Sequence, residues 1–166
     1  MSKKTLLAIA SILLFATIVI YINTPKMYVR SFETLESLNA ANTPYQFSTF
    51  NSQIKISSID YYDDSFTSPY VKFKCTIDGS CLQYIVGGNF TVDSEGTEVR
   101  YKNSTYVLYA HNDYTNSSLF NGQYIVKWVN KLNTINSPVG GIVYSYLVFD
   151  TPYDTNEILS LTDLFE

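Results

Sequence analysis

The stretch KFKCTIDGSCLQY, residues 72–84, predicts two β-strands joined by a tight turn. Phe73, Cys75 and Ile77 alternate with polar residues, which is typical of a strand with one buried and one solvated face. The Asp-Gly pair at residues 78–79 is a common hairpin turn because glycine adopts positive φ without strain. The stretch therefore predicts an antiparallel hairpin.

Strand patterns recur at short intervals on both sides of this hairpin, with turn residues between them, and about nine short strands are expected. They cover residues 54–59, 71–77, 82–86, 89–93, 97–101, 105–111, 123–129, 141–150 and 157–165. Trp128 shares one strand face with Tyr124 and Val126, which predicts a buried indole. The series indicates an all-β domain over residues 54–166, an antiparallel β-sandwich.

The composition excludes several classes of protein. The chain has 166 residues, is 46% hydrophobic and contains 15 Tyr and 10 Phe, which favour strands. Without Lys3 and Lys4, residues 26–166 carry 9 basic and 15 acidic side chains, a net charge of −6. Nucleic acid and anionic lipid surfaces would repel such a body, so no nucleic-acid partner is expected.

The N-terminal segment is apolar. Leu6–Ile22 reads LLAIASILLFATIVIYI and would span ~26 Å as a helix, close to the thickness of a hydrocarbon core. The run is longer than the apolar region of a signal peptide, and no small-residue cleavage site follows it closely. We therefore predict that residues 1–25 are an uncleaved transmembrane anchor, in contact with the membrane through residues 6–22, with a short cytoplasmic end.

The basic residues on the two sides of this segment give a slight bias toward a cytoplasmic N-terminus. Sequons for N-glycosylation lie at or beside predicted turns and favour export of everything after residue 25. The possible glycosylation sites are Asn89, Asn103 and Asn116. We predict a single-pass protein of the cell membrane with its C-terminal domain extracellular.

Residues 26–53 are expected to form a stalk between the anchor and the domain. Apolar residues recur at three-residue spacing in MYVRSFETLESLNAA, at Val29, Phe32, Leu35 and Leu38. This spacing predicts a short amphipathic helix that begins near Ser31.

The chain has two cysteines, Cys75 and Cys81. Export would place them in an oxidising compartment, where such a pair usually forms a structural disulfide. A two-residue loop would put them on opposite faces of the hairpin, whereas a three-residue loop that ends at Gly79 would set them opposite each other. We predict the three-residue loop and the Cys75–Cys81 disulfide, because a metal site lacks further ligands and a redox pair lacks the Cys-x-x-Cys spacing.

Candidate catalytic chemistry is weak. His111 is the single histidine and has no nucleophile motif around it, so a strand-end surface position is expected. Asp60, Asp63 and Asp64 could bind calcium, but without a glycine-spaced ligand pattern a solvated acidic loop is favoured. We predict no catalytic residue, no metal and no cofactor. Tyrosines in predicted loops suit recognition or cap the domain: Tyr61, Tyr62, Tyr114 and Tyr153.

Two segments resemble a known family. NFTVDSEGTEV, residues 89–99, resembles the strand, Asp-x-x-Gly turn, strand signature of immunoglobulin-like exported domains in bacterial and archaeal membrane-anchored proteins and lipoproteins. SPVGGIVYSYLVFDTP, residues 137–152, is similar to the closing signature of that family, and the similarity covers residues 54–161. It departs at Val99, where the family often has an aromatic residue, and in lacking a lipid-accepting cysteine. The resemblance implies an immunoglobulin-like sandwich behind a helical anchor, with no known catalytic residues.

Two functions fit these observations. The first is a non-enzymatic interaction or structural module of the cell surface, which presents loops to a protein or cell-envelope partner. The alternative is a pilin-type fibre subunit whose N-terminal helix forms the filament core, because Lys3 and Lys4 precede the apolar run as in pilin precursors. No Gly or Ala stands between these lysines and the run as a processing site. The N-terminal sequence of the mature protein would separate the two functions.

Overall fold

The computed structural model describes residues 11–15, 17, 27–65, 67–92, 95–110, 120, 124–129 and 142–165. The predicted all-β class is confirmed, because within these residues eight strands form one antiparallel sheet with few helices. The strands are β1 (Tyr28–Phe32), β2 (Lys55–Asp63), β3 (Tyr70–Ile77), β4 (Ser80–Gly87), β5 (Gly96–Tyr101), β6 (Ser104–Tyr109), β7 (Tyr124–Val129) and β8 (Tyr144–Phe149). The helices are α1 (Leu35–Ala40) and α2 (Thr155–Thr162), followed by a 3-10 turn at Asp163–Phe165.

The strand order is β1-β2-β3-β4-β8-β7-β6-β5. β4 pairs with β8, so residues 88–95 must carry the chain past three strands before β5 begins at the far edge. Four strand spacings of about 4.8 Å make ~19 Å, and eight extended residues reach roughly 26 Å. Phe90 lies on this crossing, and its N–H donates to the hydroxyl of Tyr146 at 3.0 Å. The described start of the crossing therefore lies against one face of the sheet.

The other face, which we call face A, carries the main core. Phe73, Tyr84 and Trp128 lie on it and are buried, with Trp128 only 2% exposed, so its predicted burial is confirmed. Face A is covered by the coil before β2 and by the C-terminal helical segment, through Tyr45, Phe47, Ile54, Ile158, Leu159 and Phe165. Burial of this apolar surface is the main stabilising contribution to the fold.

The described residues cover only part of the opposite face, face B. Phe90 and Phe120 pack against Tyr146 at ring separations of 5.5 and 5.4 Å. Elsewhere face B carries polar side chains such as Lys72 and Lys74, which alternate with the buried residues of β3. The predicted alternation along β3 is confirmed.

The expected two-sheet sandwich is not found among the described residues. Hydrogen bonds join all eight strands in one sheet, and coil and helix take the place of a second sheet over face A. Of the strand predicted at residues 89–93, residues 89–92 are described and are not a strand but begin the crossing connection, and residues 157–165 lie in α2 and the 3-10 turn. The helix is set by Asp154 and Glu157, which form a capping box.

Residues 26–53 are not a stalk. β1 lies within this range and pairs with β2, and Leu38 of α1 is fully buried in the main core. α1 begins at Leu35 rather than near Ser31, because the preceding residues pair with β2 and Thr34 caps the helix. β1 and α1 therefore belong to the same packed unit as the other described strands.

The predicted anchor lies mostly outside the described residues. Residues 11–15 and 17 belong to it and are helical. The side chains of Ile12, Leu13, Leu14 and Phe15 are 63–69% exposed. No helix among the described residues is long and apolar enough to span a membrane.

Candidate functional site

A cleft of about 260 Å³ opens between face A and the first turn of α2. Its floor is formed by apolar side chains of β5, β6 and β7, including Val99, Leu108 and Val126. Tyr153 and Ile158 form the side toward α2. This arrangement gives a recess with apolar walls in an otherwise packed core, which is the usual form of a small-molecule site.

The cleft exists because α2 covers face A unevenly. At the far end of the helical segment, the ring of Phe165 packs 4.4 Å from that of Tyr84. Over β5 and β6, Val99 and Leu108 stay only partly buried. The start of α2 therefore overhangs a part of the sheet that it does not fill.

The far end of α2 is held by polar contacts to the β5–β6 turn. The Tyr101 hydroxyl donates to Asp163 Oδ2 at 2.8 Å, and Lys102 Nζ lies 2.7 Å from Oδ1 of the same carboxylate. Both contacts are partly exposed, so each contributes little stability alone. Together the two contacts tie the C-terminal end of the helical segment to the edge of the sheet at β5.

Aromatic rings line one side of the cleft. The rings of Tyr124 and Phe149 stack with centroids 5.6 Å apart, and Tyr153 meets Phe149 edge-on at 5.4 Å. Among the described lining residues Glu95 alone carries a charge, and Thr97 and Thr155 add hydroxyl groups. The described lining residues contain neither a nucleophile with an adjacent base nor a second carboxylate.

Tyr153 is the one residue of the cleft that the sequence singled out for recognition. Tyr61 and Tyr62, predicted in loops, instead lie in β2, and Tyr61 is only 4% exposed. Tyr62 stacks on Tyr70 across face B with ring centroids 4.6 Å apart. Tyr114 lies outside the described residues.

A second, polar pocket of about 370 Å³ adjoins the acidic loop after β2. Asp63 Oδ1 accepts the Ser65 N–H at 2.7 Å, and its Oδ2 accepts the Tyr61 hydroxyl at 3.2 Å. Burial, followed by the nearby Asp63 carboxylate, raises the pKa of Tyr61 to about 12. Asp63 therefore orders the loop through local hydrogen bonds.

The two other carboxylates of this cluster have separate partners. Asp64 accepts the Thr67 N–H at 2.7 Å, and Asp60 accepts the Ser31 hydroxyl at 2.6 Å across the β1–β2 pair. Asp60 and Asp63 sit on opposite faces of β2, since side chains alternate along a strand. The described residues contain no group of three or more His, Cys, Asp or Glu side chains that could hold a metal ion.

The predicted disulfide is wrong for the described structure. The turn has two residues, Asp78 with φ 47° and Gly79 with φ 83°, so Cys75 pairs with Leu82 and Cys81 pairs with Thr76. Both cysteines are free, Cys75 buried on face A and Cys81 exposed on face B. Positive φ at both central residues is typical of the type I′ turn, whose twist matches that of a hairpin and favours the two-residue loop.

We expect alkylation of the native protein to label Cys81 and spare Cys75. Cys75 is 2% exposed, and burial raises the pKa of its thiol to about 12, so the reactive thiolate is scarce at neutral pH. Mass spectrometry after iodoacetamide treatment should show one adduct on the folded chain and two after unfolding. An untreated mass 2 Da below that of the dithiol form would instead reveal the disulfide, which lacks two hydrogens.

The described sequons are accessible. Asn89 is exposed at the start of the crossing connection, and Asn103 is exposed in the β5–β6 turn. The Asn89 side-chain oxygen accepts from Lys127 Nζ at 3.4 Å, which leaves its amide nitrogen directed away from that contact. Asn116 and His111 lie outside the described residues.

Comparison with known proteins identifies no relative of this chain. No protein family, curated protein or solved structure matches it. The resemblance to immunoglobulin-like exported domains therefore stays a prediction.

Proposed function

We propose that the chain is a membrane-anchored, non-enzymatic interaction module of the cell surface. The observation that carries the proposal is the exposure of Ile12, Leu13, Leu14 and Phe15, each 63–69% exposed on a helical segment. Burial of a large apolar side chain is worth about 1.5–3 kcal/mol, so four adjacent ones favour an apolar environment outside the domain. A lipid bilayer supplies that environment.

The domain core supports a separate role for the segment before it. The buried residues of face A begin at Leu38, and none of the described residues 11–17 belongs to that core. The domain therefore has its own apolar interior, as expected of a unit that folds outside the membrane. The exposed sequons Asn89 and Asn103 agree with an extracellular position.

The resemblance to immunoglobulin-like exported domains supports the same placement behind a helical anchor. The single sheet departs from the two-sheet arrangement of that family, so we extend the resemblance to placement and not to strand layout. In this proposal the partner is a protein or a component of the cell envelope. Exposed Tyr28 and the stacked pair Tyr62 and Tyr70 are candidate contact residues.

Protease protection tests the proposed topology. In cells that express the full chain, added protease should remove the β domain and leave a short N-terminal fragment. A double variant with Leu13→Arg and Leu14→Arg should lose membrane association, since a basic residue at the centre of a spanning helix costs about 2.5–3.5 kcal/mol. The exposed-strand variant Val129→Arg is the matched control and should stay in the membrane fraction. Full protection of the domain in intact cells would contradict the proposal.

The N-terminal sequence of the mature chain separates this proposal from the pilin-type alternative. An anchor that is not processed should retain Lys3 and Lys4 ahead of the apolar run. A mature chain that starts at the apolar run, recovered in filaments, would favour the fibre subunit.

A further inference from the structure

We propose that the cleft under α2 binds a small molecule that has an apolar, ring-containing body and an amine group. The inference goes beyond the proposed function, because it rests only on described residues of the domain and does not require the anchor. It follows from three features of the cleft: its volume, the residues of its walls and the charge on its lining.

The volume sets the size of the ligand. A cavity of about 150 Å³ lined by apolar side chains holds benzene, whereas sites for drug-sized ligands begin near 300 Å³. At about 260 Å³ the cleft lies between these values. It therefore has room for one ring with a short side chain, roughly ten non-hydrogen atoms by the same comparison.

The walls favour an aromatic or branched apolar body. Val99, Leu108 and Ile158 line the recess, and the stacked rings of Tyr124 and Phe149 form one side. Aromatic rings pack well against such ring faces and edges at centroid separations of 4.5–7 Å. A strongly polar ligand would lose its hydration here without enough hydrogen-bond partners in return.

The charge on the lining favours an amine over an acid. Glu95 is the one charged residue among the described lining residues, and the lining includes no described Lys or Arg. A carboxylate ligand would meet like charge, whereas an ammonium group would pair with Glu95 at the solvent-exposed mouth.

Three probes of similar size test the proposal: 2-phenylethylamine, 2-phenylethanol and phenylacetate. The full chain is placed in lipid nanodiscs, and methyl NMR follows Val126 and Ile158 in the cleft, with Ile77 as a remote reference. We expect 2-phenylethylamine to shift the two cleft methyls with a Kd on the order of 0.1–1 mM, as its atom count allows. Phenylacetate should bind at least about tenfold more weakly, because the described lining residues offer no cation to pair with its carboxylate.

Substitutions locate the bound probe. Glu95→Gln should weaken 2-phenylethylamine about three- to fivefold and leave 2-phenylethanol unchanged, as expected for an exposed charge pair. Leu108→Trp should fill the cleft and abolish the shifts of Val126 and Ile158. Val107→Trp, one residue away but on face B, is the matched control and should retain them. If Leu108→Trp does not fold, Val99→Phe fills the same recess from β5.

Each outcome decides the proposal. Selective amine binding that is lost on filling the cleft supports it. Absence of shifts with all three probes overturns it, and this includes the case in which residues of the chain itself occupy the recess. Shifts that persist in the filled variant also overturn it, because the probe then binds elsewhere. Equal affinity for the amine and the acid overturns the assignment of an amine ligand.

Discussion

Trp128→Ala is expected to lower the free energy of unfolding by about 3–5 kcal/mol, as for other large-to-small substitutions in a core. The indole is 2% exposed and packs between the rings of Tyr84 and Tyr106, with centroids 6.0 and 5.9 Å away. Its Nε1–H has no hydrogen-bond partner among the described atoms. The loss is therefore one of apolar burial and ring packing, with no hydrogen bond to replace.

Urea unfolding of the two chains, followed by circular dichroism, measures this effect. The neighbouring substitution Val129→Ala is the matched control, because Val129 lies on the same strand but is 45% exposed. It should cost about 0.5 kcal/mol or less, as surface substitutions do. Similar losses in the two variants would show that Trp128 does not occupy the core.

The sequence was sufficient for the features that depend on local alternation and turns. The alternation around Phe73 and Cys75 is visible in the sequence because one face of β3 packs in the core and the other carries lysines. Burial of Trp128 follows from the same argument on β7. These features depend only on the alternation of side chains between the two faces of a strand, which is visible in a short stretch of sequence.

The helix α2 could have been found from the sequence. Ile158, Leu159 and Thr162 are buried at helical spacing, and Asp154 with Glu157 forms a capping box before them. The run of strands before this segment favours a further strand, and that prediction is wrong. Local capping signals were therefore stronger evidence than the type of the neighbouring elements.

The cysteine pair is a second case in which a local signal was stronger evidence than its context. The Asp-Gly turn favours a two-residue loop, whereas a Cys75–Cys81 disulfide requires the three-residue alternative. The observed register puts Cys75 opposite Leu82, so turn chemistry decided the outcome. The number of cysteines and the cellular compartment only indicate that a disulfide is feasible. The geometry of the loop determines whether the two sulfur atoms can meet.

The cleft could not be predicted from the sequence. Its lining residues are spread from Glu95 to Ile158 and share no motif. They meet because β5, β6, β7 and β8 lie side by side in the sheet and the first turn of α2 lies against them, a long-range placement of the helix that no local pattern records. Only the overhang of α2 above Val99 and Leu108 creates the recess, and this depends on where the helix is held.

Gly87→Ala should have the second large effect, a loss of about 2–5 kcal/mol in the free energy of unfolding, from backbone strain and disrupted hydrogen bonding. Gly87 has φ +98°, and a Cβ there would collide with the Tyr45 hydroxyl and the Pro69 carbonyl oxygen. These two groups are hydrogen-bonded to each other at 2.5 Å. The substitution therefore strains the start of the crossing connection and also forces this bond apart.

Gly79→Ala separates the two causes, because Gly79 has φ +83° but open space where its Cβ would lie. It should cost only about 1–2 kcal/mol, the strain of a left-handed residue. In a Tyr45→Phe background Gly87→Ala should cost somewhat less than in the native chain, since the hydroxyl that the Cβ meets is gone while the ring carbon that carried it and the Pro69 oxygen remain. Urea midpoints of the four variants measure the coupling. Equal costs at Gly79 and Gly87, with additive effects at Tyr45, would mean that backbone strain alone is responsible and that the close approach of Tyr45 to Gly87 has no energetic role.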